Sequence, residues 1–414
     1  MNHVASAIQA FNAGRDPERL AMKLRKMRSD PFIFLRGSCH LFYERLARHG
    51  GSLPGPVPVV WACGDLHLEN FGSYKGDNRL VYFDINDFDE AALAPCTWDA
   101  VRFLASVRLG ALGLGLNDRE IELLCAAYVE AYAAALASGK ARWLERETAA
   151  ESSSAIAELL TSLRERQRPA FLDSRTELHG KQRRIRLDDK KALPVSEEQR
   201  EEVTAFVTAF AQRQTLHKPA FFRVLDVARR IAGTGSLGVA RYIVLVEGKG
   251  SPGSNYLLDL KQALPSSLPT ALQRAHPEIH QPAWRTEAER VVAVQSRMQA
   301  ITMAFLQAED FAGTSYIVRG LQPSEDRVDL GGWKDGKGKL RRLEEVIVSM
   351  GKLTAWAHLR SGGRDGSAIA DELIAFGQRQ DWRAPLLQQA HDASQQTLAD
   401  WQDFVTACDG GAFS

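Results

Sequence analysis

Two acidic strings lying close together constrain this chain more than anything else in it. GDLHLENFG runs from Gly64 to Gly72, and FDINDFDE from Phe83 to Glu90. Each follows an apolar run, Val57–Cys63 and Leu80–Phe83, that reads as a buried strand feeding a loop. Asp65 stands five residues ahead of Asn70, and Asp84 closes the second strand. An acid, an amide and a second acid form the residue set that phosphoryl transfer needs. One carboxylate accepts or orients the nucleophile's proton, while the amide oxygen and the other carboxylate hold Mg²⁺ against nucleotide phosphates. A turn whose Asp and Asn cap local backbone is the competing reading of D-x-x-x-x-N on its own. The second acidic string, with a glycine-rich loop and a lysine further along, favours the catalytic loop.

That second region spans Phe221–Ala263 and is glycine-punctuated and rich in β-branched residues. GTGSLG, with Gly233, Gly235, Ser236 and Gly238, matches G-x-G-x-x-G. A dinucleotide-binding fold would need a helix directly after it. Here a strand follows (ARYIVLVEG), then a turn, then a strand carrying Lys261 (YLLDLKQ). Strand, glycine loop, strand, turn and lysine strand is the order of a kinase small lobe, in which backbone approaches phosphate oxygens and the lysine neutralises them. An ordinary antiparallel meander with Lys261 on a wet edge is the alternative. A helix over Glu287–Phe305 would supply the partner of Lys261. Glu289 is the candidate, with Glu287 and Gln295 open and a solvent-facing helix charge equally compatible.

GDLHLENF resembles the catalytic loop of aminoglycoside-phosphotransferase-like kinases, and FDIND resembles their metal-binding strand. The longer string FLRGS…CGDLHLENFG…FDINDFDE is similar to a bacterial family known as domain of unknown function 2252, over most of the chain. The resemblance implies ATP and Mg²⁺ as cofactors, Asp65 as catalytic Asp, Asn70 and Asp84 as metal ligands, and Asp99 as a buried brace for the catalytic loop. Cys63 stands where those kinases usually carry a histidine. Asp87 and Asp89 are reserve ligands. Alternation puts Asp84 and Asn86 on one strand face and Asp87 and Asp89 on the other, so the choice of Asp84 rests on the resemblance alone.

The implied fold is α+β and two-lobed, a large helical lobe with a small antiparallel β lobe. The motif order is circularly permuted, because the catalytic loop precedes the glycine loop. Residues 1–215 are expected to form the catalytic-loop and helical region and 216–330 the nucleotide-binding region, with 331–414 as helices packing on the helical lobe. Lys261 and the glycine loop should then face Asp65, Asn70 and Asp84 across one cleft. The expected activity is phosphoryl transfer from ATP to a hydroxyl acceptor, small molecule or protein. A kinase-like nucleotidyltransferase (AMPylator) and a regulatory pseudokinase are the alternatives.

A net charge of +1 supplies no general attraction to nucleic acid or membrane, and neither is an expected partner. Five scattered cysteines without C-x-x-C spacing read as reduced core residues. With no apolar segment of signal-peptide length at the start, a cytoplasmic location is expected. Residues 1–30 read as one amphipathic helix with Leu20, Leu24 and Met27 inward, ended by Pro31. Arg164–Lys191 carries ten Lys/Arg against five Asp/Glu. It is either a solvated hairpin or, through Arg183, Arg184 and Arg186, a surface for an anionic substrate.

Overall fold

The computed structural model describes residues 3–49, 51, 53–149, 153–215, 217–321, 323, 326–333 and 337–413. Residues 3–29 form two helices, His3–Phe11 and Pro17–Ser29, in place of the single expected one. The break falls at Gly14, whose φ of +77° ends the first helix. Asp16 then caps the second by accepting from Arg19 N at 2.9 Å. The inward residues of that helix are Arg19, Lys23 and Met27, one turn apart, while Leu20 and Leu24 are half-buried. Pro31 opens a third helix, Pro31–Gly37, with Asp30 as its cap, because proline fits the first helical position where no N–H is needed.

The strand Val59–Ala62 pairs antiparallel with Ala92–Pro95, and Phe71–Lys75 pairs with Val81–Ile85. Helix Cys96–Gly113 follows, then Asp118–Ser138, which starts in a capping box made by Asn117 and Glu120. The C-terminal helices Lys337–Ser361, Ala370–Gln378 and Arg383–Asp409 pack onto this pair, and all contribute to one large apolar core. Asp118–Ser138 is the one described helix long and apolar enough to cross a membrane by composition, and over half of it is buried inside this core. All five cysteines are free, four of them buried.

A second layer is a six-stranded antiparallel sheet. From one edge, its order is Gln307–Phe311, Thr314–Leu321, Tyr256–Gln262, Arg241–Val246, Val224–Arg230 and Ala192–Leu193. Helices Leu268–Ala275 and Glu287–Met298 lie in the chain between the lysine strand and the outermost strand. Period-two alternation divides its side chains. Tyr242, Val244, Leu258 and Val318 meet Phe206, Val207 and Phe210 of helix Glu197–Gln212, so that helix belongs with the sheet. Ile243, Leu245, Leu257 and Leu321 face the other way, against Leu172 and Ile185.

The basic stretch folds as helix Arg168–Asp173 and hairpin Thr176–His179/Gln182–Ile185. Arg183 is buried, bonding Asp173, Thr176 and the Pro252 carbonyl. Arg184 pairs with Asp226 and Arg186 with Glu177. Arg183 therefore ties the hairpin to its own layer and is not free for an anionic substrate, while Arg184 and Arg186, paired at 3.7 and 3.4 Å, stay exposed. Phe171 and Arg175 are the residues of this stretch that reach the cleft described below.

Candidate active site

The GDLHLEN loop is fixed from beneath. Asp99, fully buried near the start of helix Cys96–Gly113, accepts the backbone N–H of Cys63 at 2.9 Å and of Gly64 at 3.0 Å. His358 Nε2 lies 3.4 Å from the same carboxylate, its Nδ1 bonded to the Tyr132 hydroxyl at 2.9 Å. Gly64 has φ +82°, and a Cβ there would collide with the Glu90 carbonyl, so only glycine fits this turn. Asp99→Ala is expected to strand two buried N–H groups and cost about 3 kcal/mol in denaturant unfolding, at about 1–3 kcal/mol for each unsatisfied group. A loss below about 1 kcal/mol would show that the loop does not depend on this carboxylate.

One turn further along the helix, Arg102 is fully buried and grips Asp65. Its Nε and Nη2 donate to Oδ1 at 3.0 and 2.5 Å, and Nη2 also reaches the Leu35 carbonyl. Asn70 donates through Nδ2 to the carbonyls of Asp65 at 3.0 Å and Asp87 at 3.2 Å, which ties the two acidic strings together. Its Oδ1 is buried without a hydrogen-bond partner, as is that of Asn86. Two orphaned amide oxygens beside a carboxylate are costly unless something completes them.

The aspartates of FDINDFDE separate. Asp84 is buried away from the cleft: its Oδ2 accepts from Arg360 at 2.9 Å and from Ala300 N at 3.2 Å, its Oδ1 from Ile85 N. The expectation that Asp84 holds metal is therefore corrected, since both of its oxygens serve the interior. The strand ends at Ile85, and the chain beyond it carries Asp87 and Asp89 to Lys261. Withdrawal from bulk water raises both carboxyls. For Asp87 the cations Lys261, Arg241 and Arg319 outweigh that effect and hold it below the ordinary value. Asp89 is left above it, with the charge of Asp87 adding to burial.

Lys261 thus has Asp87 and Asp89 as partners, and the expectation of Glu289 is also corrected. Glu289 lies in the first turn of helix Glu287–Met298 and bonds Arg285 at 3.0 Å, while Glu287 pairs with Arg290. Val291, Val294, Gln295 and Met298 form the buried face of that helix, and Gln295 lines the cleft.

The cleft itself, about 920 Å³, is lined by Asp65, Asn70, Asp87 and Asp89 together with Gly233, Gly235, Ser236 and Lys261. Gly238 is not among its lining residues; a Cβ there would press on Arg15 at 2.8 Å. Above Lys261, Asp259 is wholly buried among Arg230, Arg241 and Arg319, all of which line the cleft. Sequence reasoning passed over Arg102, Arg15 and this cluster. Arg102 had a signal, lying one helical turn after Asp99, and so did Asp259 and Lys261 on one face of one strand. Arg15 had none.

No group of three or more His, Cys, Asp or Glu able to hold a metal ion occurs among the described residues. The oxygens offered here are instead carboxylate and amide. A family model described as an uncharacterized protein conserved in bacteria, DUF2252, matches residues 15–407. The chain belongs to that family. The match to DUF2252 begins at Arg15 and so takes in the glycine-turn contacts, the GDLHLEN loop and the lysine strand. Comparison with curated proteins and with solved structures finds no match.

Proposed function

We propose that this DUF2252 protein is an ATP- and magnesium-dependent phosphotransferase with a kinase-like fold in permuted order, acting on a hydroxyl-bearing acceptor. The observation that carries the reading is the meeting of two distant motifs in one cleft. A glycine turn and Lys261 line the same cleft as Asp65, Asn70 and Asp87, about 150 to 200 residues away in sequence. The sheet adds support, with the glycine turn between its first two long strands, the lysine on the third, and helices before the next. Cys63 replaces the histidine of the resembling kinases, and His358 from a remote helix reaches Asp99 in its stead.

The orphaned Oδ1 of Asn70, with the Asp87 carboxylate and Asn86 Oδ1 near by, suits a hard cation that takes few protein oxygens and completes its shell with phosphate and water. Bound magnesium would neutralise phosphate charge. Lys261 and the backbone of Gly233–Ser236 would bind the non-transferred phosphates, and Asp65, oriented by Arg102, would hold the acceptor hydroxyl and take its proton. Calorimetric titration of ATP with and without Mg²⁺ tests this. Magnesium-dependent binding is expected, weakened about tenfold or more by Asp87→Asn, as loss of one charged ligand implies. Asp84→Asn should instead lower thermal stability while leaving the magnesium dependence intact. Absence of ATP binding by the folded wild type would end the proposal.

One observation favours a second reading, nucleotidyl transfer. Arg230, Arg241 and Arg319 gather beyond Lys261, where a triphosphate tail turned toward the sheet would meet cations. ATP labelled at the γ- or the α-phosphate separates the two. Transfer of the γ-label supports phosphorylation, and transfer of the α-label supports AMP transfer.

A further inference from the structure

The break between the first two helices delivers an arginine to the cleft from fifty residues before the catalytic loop. Arg15 Nη1 donates to the Gly235 carbonyl at 2.6 Å and the Leu237 carbonyl at 3.0 Å. Asp16 N donates to the Gly238 carbonyl at 3.0 Å, and the Asp16 carboxylate binds Arg229 at 2.9 Å. Lys23, buried one turn along the same helix face as Arg19, adds a bond from Nζ to the Gly235 carbonyl at 3.0 Å. The N-terminal segment therefore grips the glycine turn at several points.

A brace would need no more than this, and Lys23 already holds the Gly235 carbonyl. Arg15 offers something further. Among the described residues no protein acceptor takes its Nε or Nη2, and the residue lines the cleft with Asp65, Asp89, Glu90 and Lys261. Burial lowers its guanidinium to about 10, against the opposing pull of Glu90 and Asp89, so it stays charged at neutral pH while poorly solvated. A half-buried cation that lines the cleft with donors left over, near a glycine turn and an acidic loop, is suited to an anion that arrives only with the substrate.

We infer that Arg15 is a catalytic residue that contacts the phosphoryl group in flight. The inference rests on the phosphotransferase reading above. In the step concerned, the acceptor oxygen forms a bond to the γ-phosphorus while the bond from that phosphorus to the β–γ bridging oxygen breaks. ADP leaves with the electron pair, and the acceptor's proton passes to Asp65. Charge spreads over the equatorial oxygens of the transferring group, and Arg15 stabilises it there; a cation so placed is worth about 10³–10⁵ in rate in related chemistry.

Mg-ADP with aluminium fluoride mimics that group and needs no knowledge of the acceptor. The wild type is expected to bind Mg-ADP about 100-fold or more tightly when aluminium fluoride is added, as transition-state mimics do. Arg15→Ala and Arg15→Gln should lose that tightening almost entirely, while Mg-ADP affinity falls only a few-fold and melting temperature only modestly, because Lys23 still holds the Gly235 carbonyl when the two Arg15 bonds are gone. If both variants keep the tightening, or lose Mg-ADP affinity and thermal stability in step with it, Arg15 is only a brace and the inference falls. A wild type that binds Mg-ADP without tightening also overturns it and leaves nucleotide binding standing. A folded wild type that does not bind Mg-ADP removes the phosphotransferase reading itself, and the inference with it.

Discussion

Asp65→Asn is expected to lower turnover by about 10²–10⁴-fold, the usual contribution of a positioned general base, while Mg-ATP affinity changes only a few-fold. Asparagine is the informative replacement because of Arg102. That guanidinium is fully buried and spends two nitrogens on Asp65 Oδ1. Alanine would leave a buried cation stripped of its carboxylate, which typically destabilises by about 3–5 kcal/mol and would confuse catalysis with folding. An amide keeps an oxygen for Arg102 and removes only the charge and the basicity. The readout is ATP consumption and label transfer beside calorimetric ATP binding. Asp65→Asn with wild-type turnover would show that another group handles the acceptor's proton.

Asp259→Ala is expected to produce the largest loss of stability of any single change in the sheet layer, about 3–5 kcal/mol. The carboxylate has no exposed surface, and Arg241 donates to both of its oxygens, at 2.9 and 2.6 Å. Arg319 bonds it at 3.0 Å, and Arg230 pairs with it as well. Burial alone would raise this acid, but the three guanidinium groups prevail and hold it well below the usual carboxylate range. The sign of the pH dependence follows. A carboxyl whose folded value is depressed stabilises fully above its unfolded value of about 3.9, and the contribution is lost as pH falls through the folded value. The wild type should therefore lose stability steeply below about pH 4, and Asp259→Asn should show a shallower slope there. Denaturant midpoints measured across that range for both proteins give the comparison. Equal slopes would mean that Asp259 does not carry the acid sensitivity.

The chain's local grammar was legible without coordinates. Asn117 and Glu120 flank a helix start, and a capping box forms there, because those contacts span three residues and hardly depend on the rest of the molecule. Alternation along Arg241–Val246 divides its side chains between two faces, as backbone pleating requires. The glycines at 233 and 238 adopt positive φ in a turn between two strands, where residues with a Cβ are disfavoured. The GDLHLEN loop is equally local, since Asp65 and Asn70 are held together by the backbone between them and by one amide bond.

Tertiary structure decided what spacing could not. Three aspartates share FDINDFDE, yet Asp84 turns to Arg360 and Asp87 and Asp89 turn to Lys261, because the strand stops at Ile85. Glu289 and Gln295 sit on one helix, but only the packed face reaches the cleft. The first helices hide Arg19 and Lys23 rather than their leucines, since Lys23 finds Asn12 and the Gly235 carbonyl inside. Apolar patterning predicts which face is inward only when polar groups lack such partners, and here the farther partner of Lys23 lies 212 residues away. Residue type and short-range spacing set the elements and their turns. The pairing of buried charges depends on which distant surfaces meet, and packing alone determines that.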